Sequence, residues 1–433
     1  MLHIIRPSVA SIGLAFVLAS PLQAASPAKA PAKPVAPAAV APFELAHNLG
    51  PVGEERLQLV VDRFNKEAGS SLKLVRLEKG DKPAGLNLVR RHDIGDVLSE
   101  SKQFVPLHAV MAKAGEPLKV GELSHDLKAG MVDTKGKLVA LPILYSTPVL
   151  FYNKNAFRKA GLDPEHPPKT WFEMQGMLDK LQSAGYACPY TSSWPVWVHI
   201  DNVSSISGVP ATTDKGQLSF NGLPQVKHVA MMSTWTKAGY FRLFGRRDEA
   251  SKKFYEGECA IITTDSREHT DFRDAKGVEL GVGVLPFHDD VYGGRQTSLA
   301  DGASLWVGAG RSTAEYKQVA KFVSFLLSPE MQVEMVRSHG GLPLTSAARA
   351  AARSKLLRDD DKTLETAYAS LMGGGAKLAI RVANIDSVRL ITDEELEAVW
   401  GDRKPAKAAL DVSVNRGNVL LSAKPALKKV QPF

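Results

Sequence analysis

Residues 43–77 place the first strong constraint on the fold. Phe43-Glu44-Leu45 is a short strand candidate. Residues 54–68 (EERLQLVVDRFNKEA) then set Leu57, Val60, Val61 and Phe64 at helical spacing, and residues 71–77 (SLKLVRL) alternate as a strand. A strand, a helix and a second strand joined by short loops predict a parallel strand pair with the helix laid across it. The alternation continues, with strands predicted at 137–142 and 147–152. A helix beginning at Asn155 is ended by Gly161, and Thr170 is a good cap for a helix over 171–183. The pattern runs to about residue 327 and the last third reads as mainly helical, so the class is α/β. At 433 residues the chain exceeds the roughly 250–300 at which a single core stops growing, so more than one core is predicted.

The N-terminus reads differently. Arg6 precedes an apolar run from Val9 to Ala19, Ser20-Pro21 breaks it, and Ala24 stands at a cleavage position. The run is about 11 residues, whereas a spanning helix needs about 20, so residues 1–24 are expected to be a cleaved secretory signal peptide. Residues 25–42 (ASPAKAPAKPVAPAAVAP) are an Ala/Pro-rich stretch expected to form a disordered tether. The implied compartment is extracytoplasmic. Net charge is +8 with no run of five Lys/Arg, which argues against nucleic acid and mildly favours an anionic solute. Cys188 and Cys259 are the only cysteines. They read equally well as a disulfide or as two buried thiols.

Local signatures of phosphate-loop, dinucleotide, serine-hydrolase and zinc-protease chemistry are absent. The eleven histidines are scattered, with no metal-ligand spacing. No catalytic residue, cofactor or metal is therefore assigned, and a binding function is favoured over an enzymatic one.

Specific stretches carry a resemblance. Residues 146–171 read STPVLFYNKNAFRKAGLDPEHPPKTW, residues 254–264 FYEGECAIITT, residues 301–306 DGASLW and residues 393–400 DEELEAVW. Together with CPYTSSWPVW and PQVKH they resemble the periplasmic solute-binding proteins of ABC importers (extracellular solute-binding family 1), most nearly the branch that binds glycerol 3-phosphate. The resemblance runs from about residue 104 to about residue 423. It implies a two-lobed periplasmic-binding-protein fold with a hinge and an interlobe cleft. Lobe one is expected over 43–149 and 294–328, and lobe two over 150–293 and 329–433. It implies capture of glycerol 3-phosphate or a glycerophosphodiester by a monomer, delivery to the permease subunits of the importer, and residence in the periplasm. The alternative on the same fold is a receptor for a sugar or oligosaccharide.

Residue by residue, the resemblance assigns ligand contacts to Ser146, the pair Trp194 and Trp197, Ser266, the N–H of Gly302 and a phosphate-gripping Arg381, with Arg389 as competing candidate. Indoles suit a polyol skeleton, and a guanidinium suits phosphate. The departures are equally definite. A tyrosine and a glutamate of the family's first lobe have no counterpart between Lys79 and Phe104. Arg267 replaces a small residue, and Gly341 stands where the family has a tyrosine, which is expected to leave room for a larger phosphodiester. Two or three lost hydrogen bonds of about 1 kcal/mol each would weaken a glycerol 3-phosphate complex by roughly one to three decades.

Overall fold

In the computed structural model the described residues are 43–77, 81–133, 135–290, 294–356, 358–371 and 384–422. Their strands are β1 (Phe43–His47), β2 (Leu72–Arg76), β3 (Leu86–Val89), β4 (Phe104–Val105), β5 (Leu141–Ser146), β6 (Pro148–Asn153), β7 (Cys188–Ser192), β8 (Phe241–Arg242), β9 (Cys259–Asp265), β10 (Leu280–Val284) and β11 (Asp301–Gly308). They form two sheets. The first has the order β2-β1-β3-β11-β4, with β5 also paired to β11, and the second the order β10-β6-β9-β7-β8. The result is a two-lobed α/β fold.

The opening unit forms as its sequence pattern dictates. β1 and β2 pair in parallel, Phe43 opposite Leu72. The helix between them, Pro51–Ala68, starts one turn before the apolar pattern because Pro51 is pre-set for a first helical turn. It buries the expected Leu57, Val60, Val61 and Phe64 and stops at Gly69, whose φ of 58° admits the left-handed cap. Phe64 then meets Phe322 and Phe325 at ring-centroid distances of 4.9 and 5.4 Å, which seats the helix Thr313–Leu326 on the same core.

The chain leaves the first sheet at Ser146 and enters the second at Pro148, so Thr147 alone spans the passage. Its carbonyl accepts the Ser266 N–H at 3.0 Å, tying the start of β6 to the end of β9. It returns to the first sheet at Asp301. One predicted strand shifts: residues 137–140 lie outside β5, which begins at Leu141. The Asp133 carboxylate accepts the N–H groups of Lys135 and Lys137, and this turn commits 137–140 to a short return in which Leu138 bridges Val132.

Residues 329–355 also differ from expectation. The helices Pro329–His339 and Ser346–Lys355 were expected beside the second sheet. Between them, the Leu342 N–H donates to the Tyr145 carbonyl at 2.8 Å and the Leu344 carbonyl accepts from Ser124 at 2.7 Å. These bonds hold the pair against the first sheet. Only the later helices go over: Arg358–Ala369 packs on β6 and β10, and Ile385–Trp400 packs on Leu223–Lys237 and Ala406–Ser422.

The second core is aromatic and threaded by imidazoles. Trp171, Tyr190, Trp235 and Phe241 are fully buried. Among them His199 Nδ1 meets His228 Nε2 at 2.9 Å, and His228 Nδ1 meets His288 Nε2 at 3.1 Å. Burial holds all three neutral: His199 is pushed down to about 3, His288 to about 4 with Lys227 adding to the effect and Asp290 opposing it, and His228 well below its ordinary value. Beside them Cys188 and Cys259 sit opposite each other on the parallel pair β7 and β9 and form a disulfide, which settles the open alternative.

Two stability predictions follow from this core. An unfolded histidine takes up a proton near pH 6.5, whereas His199 and His228 resist protonation, so their contribution is full above that pH and is lost as pH falls toward 4. The stability penalty of His228→Gln, measured by denaturant unfolding, should therefore shrink between pH 7 and pH 5 by about 2 kcal/mol. A penalty independent of pH would contradict neutral burial. The disulfide closes a 71-residue separation, so the variant carrying Cys188→Ser and Cys259→Ser should lose about 2–4 kcal/mol in the same assay. A variant as stable as the oxidised parent would contradict it.

Candidate functional site

Charged residues stand at the strand ends where the two sheets face each other. Arg91 follows β3, Asp265 ends β9 and Asp301 opens β11. A wide π-type helical turn, Trp197–Asn202, brings in Trp197 and Asp201. The helix Ile385–Trp400 contributes Arg389 and, one turn on, Asp393.

Arg91 is the centre of this arrangement, with 7% of its surface exposed. Its Nη2 donates to Asp265 Oδ2 at 3.0 Å, to the Asp301 carbonyl at 3.1 Å and to Ser146 Oγ at 3.4 Å. Its guanidinium lies 3.6 Å from the Trp197 ring centre and 5.6 Å from that of Trp194, within cation–π range of both. Arg267 also grips Asp265, through Nη2 at 2.9 Å. Arg389 reaches Asp201 and Asp301, each at 3.4 Å, and donates to the Arg91 carbonyl at 3.1 Å. Burial would push the Asp265 carboxyl up, but Arg267 and Arg91 overcome it and hold it at about 2. The chain Asp201–Arg389–Asp301–Arg91–Asp265–Arg267 thus alternates in sign and joins the two sheets.

Above it opens a cavity of about 660 Å³, within the range of small-ligand sites. Its wall includes Arg91, Trp194, Trp197, Arg246, Arg389 and Asp393. Arg246 is spent on a two-pronged pair with Glu397 at 2.6 and 2.7 Å. Asp393 is pushed up to about 7, burial being the main cause and Arg246 opposing it. A second cavity of about 190 Å³ lies among Leu45, Leu57, Val60 and Phe322, with Glu268 at its edge. Arg56, Arg267, Asp271 and His339 line it as well, and it touches neither indole.

The residues assigned from sequence divide between this cavity and the structure beneath it. Trp194 and Trp197 both line the cavity, Trp194 at an unusual φ of 54°. Trp197 is buried because Arg91 covers its face. Ser146 is fully buried, its hydroxyl donating to the Asp301 carbonyl at 3.3 Å. Ser266 is engaged with Thr147, and the Gly302 N–H donates to Asp301 Oδ1 at 2.8 Å. Arg381 lies outside the described residues. Gly341 does not open space: a Cβ there would stand 3.0 Å from Leu144 Cα, so the backbone of β5 fills the volume expected to be free. Sequence reasoning missed Arg91, Asp265, Asp301 and Asp201. The signal available was a charge set directly at the end of an apolar strand, as in LNLVRR, CAIITTD and DGASLWV.

Residues 60–365 match the family of bacterial extracellular solute-binding proteins. The chain belongs to that family. A relative from Pectobacterium atrosepticum, named as an sn-glycerol-3-phosphate-binding periplasmic protein, is 36% identical over 397 residues, covering 86% of this chain and 89% of the relative. The Salmonella typhimurium protein of the same name is 35% identical, covering 86% and 90%. Among solved structures, a Mycobacterium tuberculosis protein in complex with glycerophosphocholine superposes with a TM-score of 0.70 at 16% identity, covering 88% of this chain and 98% of that one. A maltose-bound T. maritima protein gives 0.70 at 17%, covering 88% and 100%. This solute-binding protein is a substrate-binding component of an ABC importer, working with permease subunits, and not an enzyme. Its relatives are periplasmic, and no helix among the described residues is long and apolar enough to cross a membrane.

The close approach of β11 to β5 generates a test of how rigidly the floor is held. A Cβ at Gly302 would stand 2.4 Å from the Leu144 carbonyl oxygen and 2.8 Å from Tyr145 Cα, both backbone atoms. Gly302→Ala should cost about 1–3 kcal/mol in thermal or denaturant unfolding. A variant that melts like the parent would show that the two strands are not locked together.

Proposed function

We propose that this chain is the extracytoplasmic receptor that captures glycerol 3-phosphate or a glycerophosphodiester in the cavity above Arg91 and hands it to the importer's permease. The observation that carries the reading is a cavity floored by guanidinium groups and walled by two indoles. The 36% identity to a glycerol-3-phosphate-binding relative supports the same ligand class. Guanidinium N–H groups match phosphate oxygens in pairs, and indole faces cover a short carbon skeleton. We place the first sheet with residues 313–355 in lobe one, and the second sheet with the helices from 358 onward in lobe two. A solute between them is enclosed when the lobes close as a hinge. The receptor is proposed to act as a monomer in the periplasm, after removal of residues 1–24; these and residues 25–42 lie outside the described residues.

One observation favours a second reading. Three arginines (Arg91, Arg267, Arg389) face three aspartates (Asp201, Asp265, Asp301), so the floor carries no net charge. A neutral polyhydroxyl ligand suits such a floor, and with it the sugar-receptor alternative.

Titration calorimetry of the mature chain separates the two. Glycerol 3-phosphate or glycerophosphocholine should bind in the micromolar range or tighter, and maltose should give no saturable heat. Binding of maltose alone would replace the phosphate reading with the sugar reading.

A further inference from the structure

The cavity of about 190 Å³ shares no described wall residue with the solute cavity. One side of it is apolar: Leu57 and Val60 come from the helix Pro51–Ala68, Ile143 from β5 and Met335 from the helix Pro329–His339. The other side is the segment 266–272 that follows β9, which contributes Arg267, Glu268 and Asp271. A guest there would touch elements of both sheets' sides. An apolar cavity of about 150 Å³ holds a guest the size of benzene, so this one has room for about six carbons. Hydrocarbon in such a space recovers dispersion contacts that the bare wall forgoes.

The polar side selects the head group. Arg56 is paired with Asp271 at 2.9 Å, and Arg267 with Asp265 at 2.9 Å. His339 is held neutral, pushed down to about 4 by burial, with Arg56 and Arg267 adding to the effect. Glu268 differs from all of these. It is half-buried, and its carboxyl makes no hydrogen bond or ion pair among the described residues. Its oxygens are not among the polar atoms sealed from accessible space. Burial pushes the carboxyl up to about 8, Asp265 adding to the effect and Arg267 opposing it. Near neutrality it therefore keeps a proton and offers both a donor and an acceptor. The rim then consists of matched ion pairs and neutral groups. An ionic head would lose its hydration and find no counter-charge of its own, whereas a hydroxyl needs only the carboxyl.

We infer that this cavity is a second binding site, which takes a neutral aliphatic alcohol of about six carbons with its hydroxyl on Glu268 and its chain against Leu57, Val60 and Met335. The site does not rest on the solute reading.

The test is ligand-observed NMR on the mature chain at pH 7 with 1-hexanol, hexanoate and hexylammonium. 1-Hexanol should bind saturably and at least fivefold tighter than either ion. Gly53 lines the cavity from the first turn of its helix, and the nearest neighbour of a Cβ there would be the Leu49 side chain at 3.3 Å. Gly53→Leu therefore places hydrocarbon in the cavity and should abolish 1-hexanol binding. Glu268→Leu should weaken 1-hexanol at least threefold, whereas Glu268→Gln, which keeps a donor and an acceptor, should hold it within twofold. Thermal melting checks that each variant is folded, and the two Glu268 variants decide the matter if Gly53→Leu melts early. Saturating glycerol 3-phosphate should leave 1-hexanol bound. The site is overturned by an absence of saturable 1-hexanol binding, by binding that survives Gly53→Leu, or by displacement with glycerol 3-phosphate, which would put the alcohol in the solute cavity. Tighter binding of either ion, or a Glu268→Leu variant that binds 1-hexanol like the parent, would overturn the assigned head group.

Discussion

The ion pairs running through Arg91 tie the two sheets together, and much of the site depends on them. Arg91 comes from the end of a first-sheet strand, while Asp265 ends a strand of the second. Both are almost fully buried, and neither charge could be placed there alone. Removing one partner of such a pair typically costs about 3–5 kcal/mol, because the other charge is left in a poor medium. The pairing therefore does more than add stability. It makes each sheet's placement a condition of the other's charge being tolerated.

The same contact shapes the cavity. Because Nη2 is committed to Asp265, the guanidinium plane is fixed over Trp197. Trp197 in turn is presented by a widened helical turn that also delivers Asp201 to Arg389. Local backbone irregularity and the charge chain are thus parts of one construction. The aromatic core and the disulfide behind it keep β7 and β9 together, and β9 ends in Asp265.

Much of the fold could be read along the chain. The helix Trp171–Ser183 appears where Thr170 predicts it, with a full capping box, because cap and apolar spacing are local properties. The parallel pair β1 and β2 was readable for the same reason. The passage between sheets at Thr147 could be read from the family-like run that begins at Ser146. The position of residues 329–355 could not, because it turns on backbone bonds to Tyr145 and Ser124, some 200 residues away in the chain.

By itself the sequence determined the class of fold, the family and the presence of an indole pair, since these depend on periodicity, caps and motifs within short windows. Only the tertiary structure decided which polar groups meet at the cavity. Arg91, Asp265 and Asp301 are separated by 174 and 36 positions, and nothing local records that they meet. Gly341 looked like added room until Leu144 was found against it. A hydrogen bond is satisfied or unsatisfied according to which atoms are brought within about 3 Å, and that is a property of packing in space rather than of order along the chain.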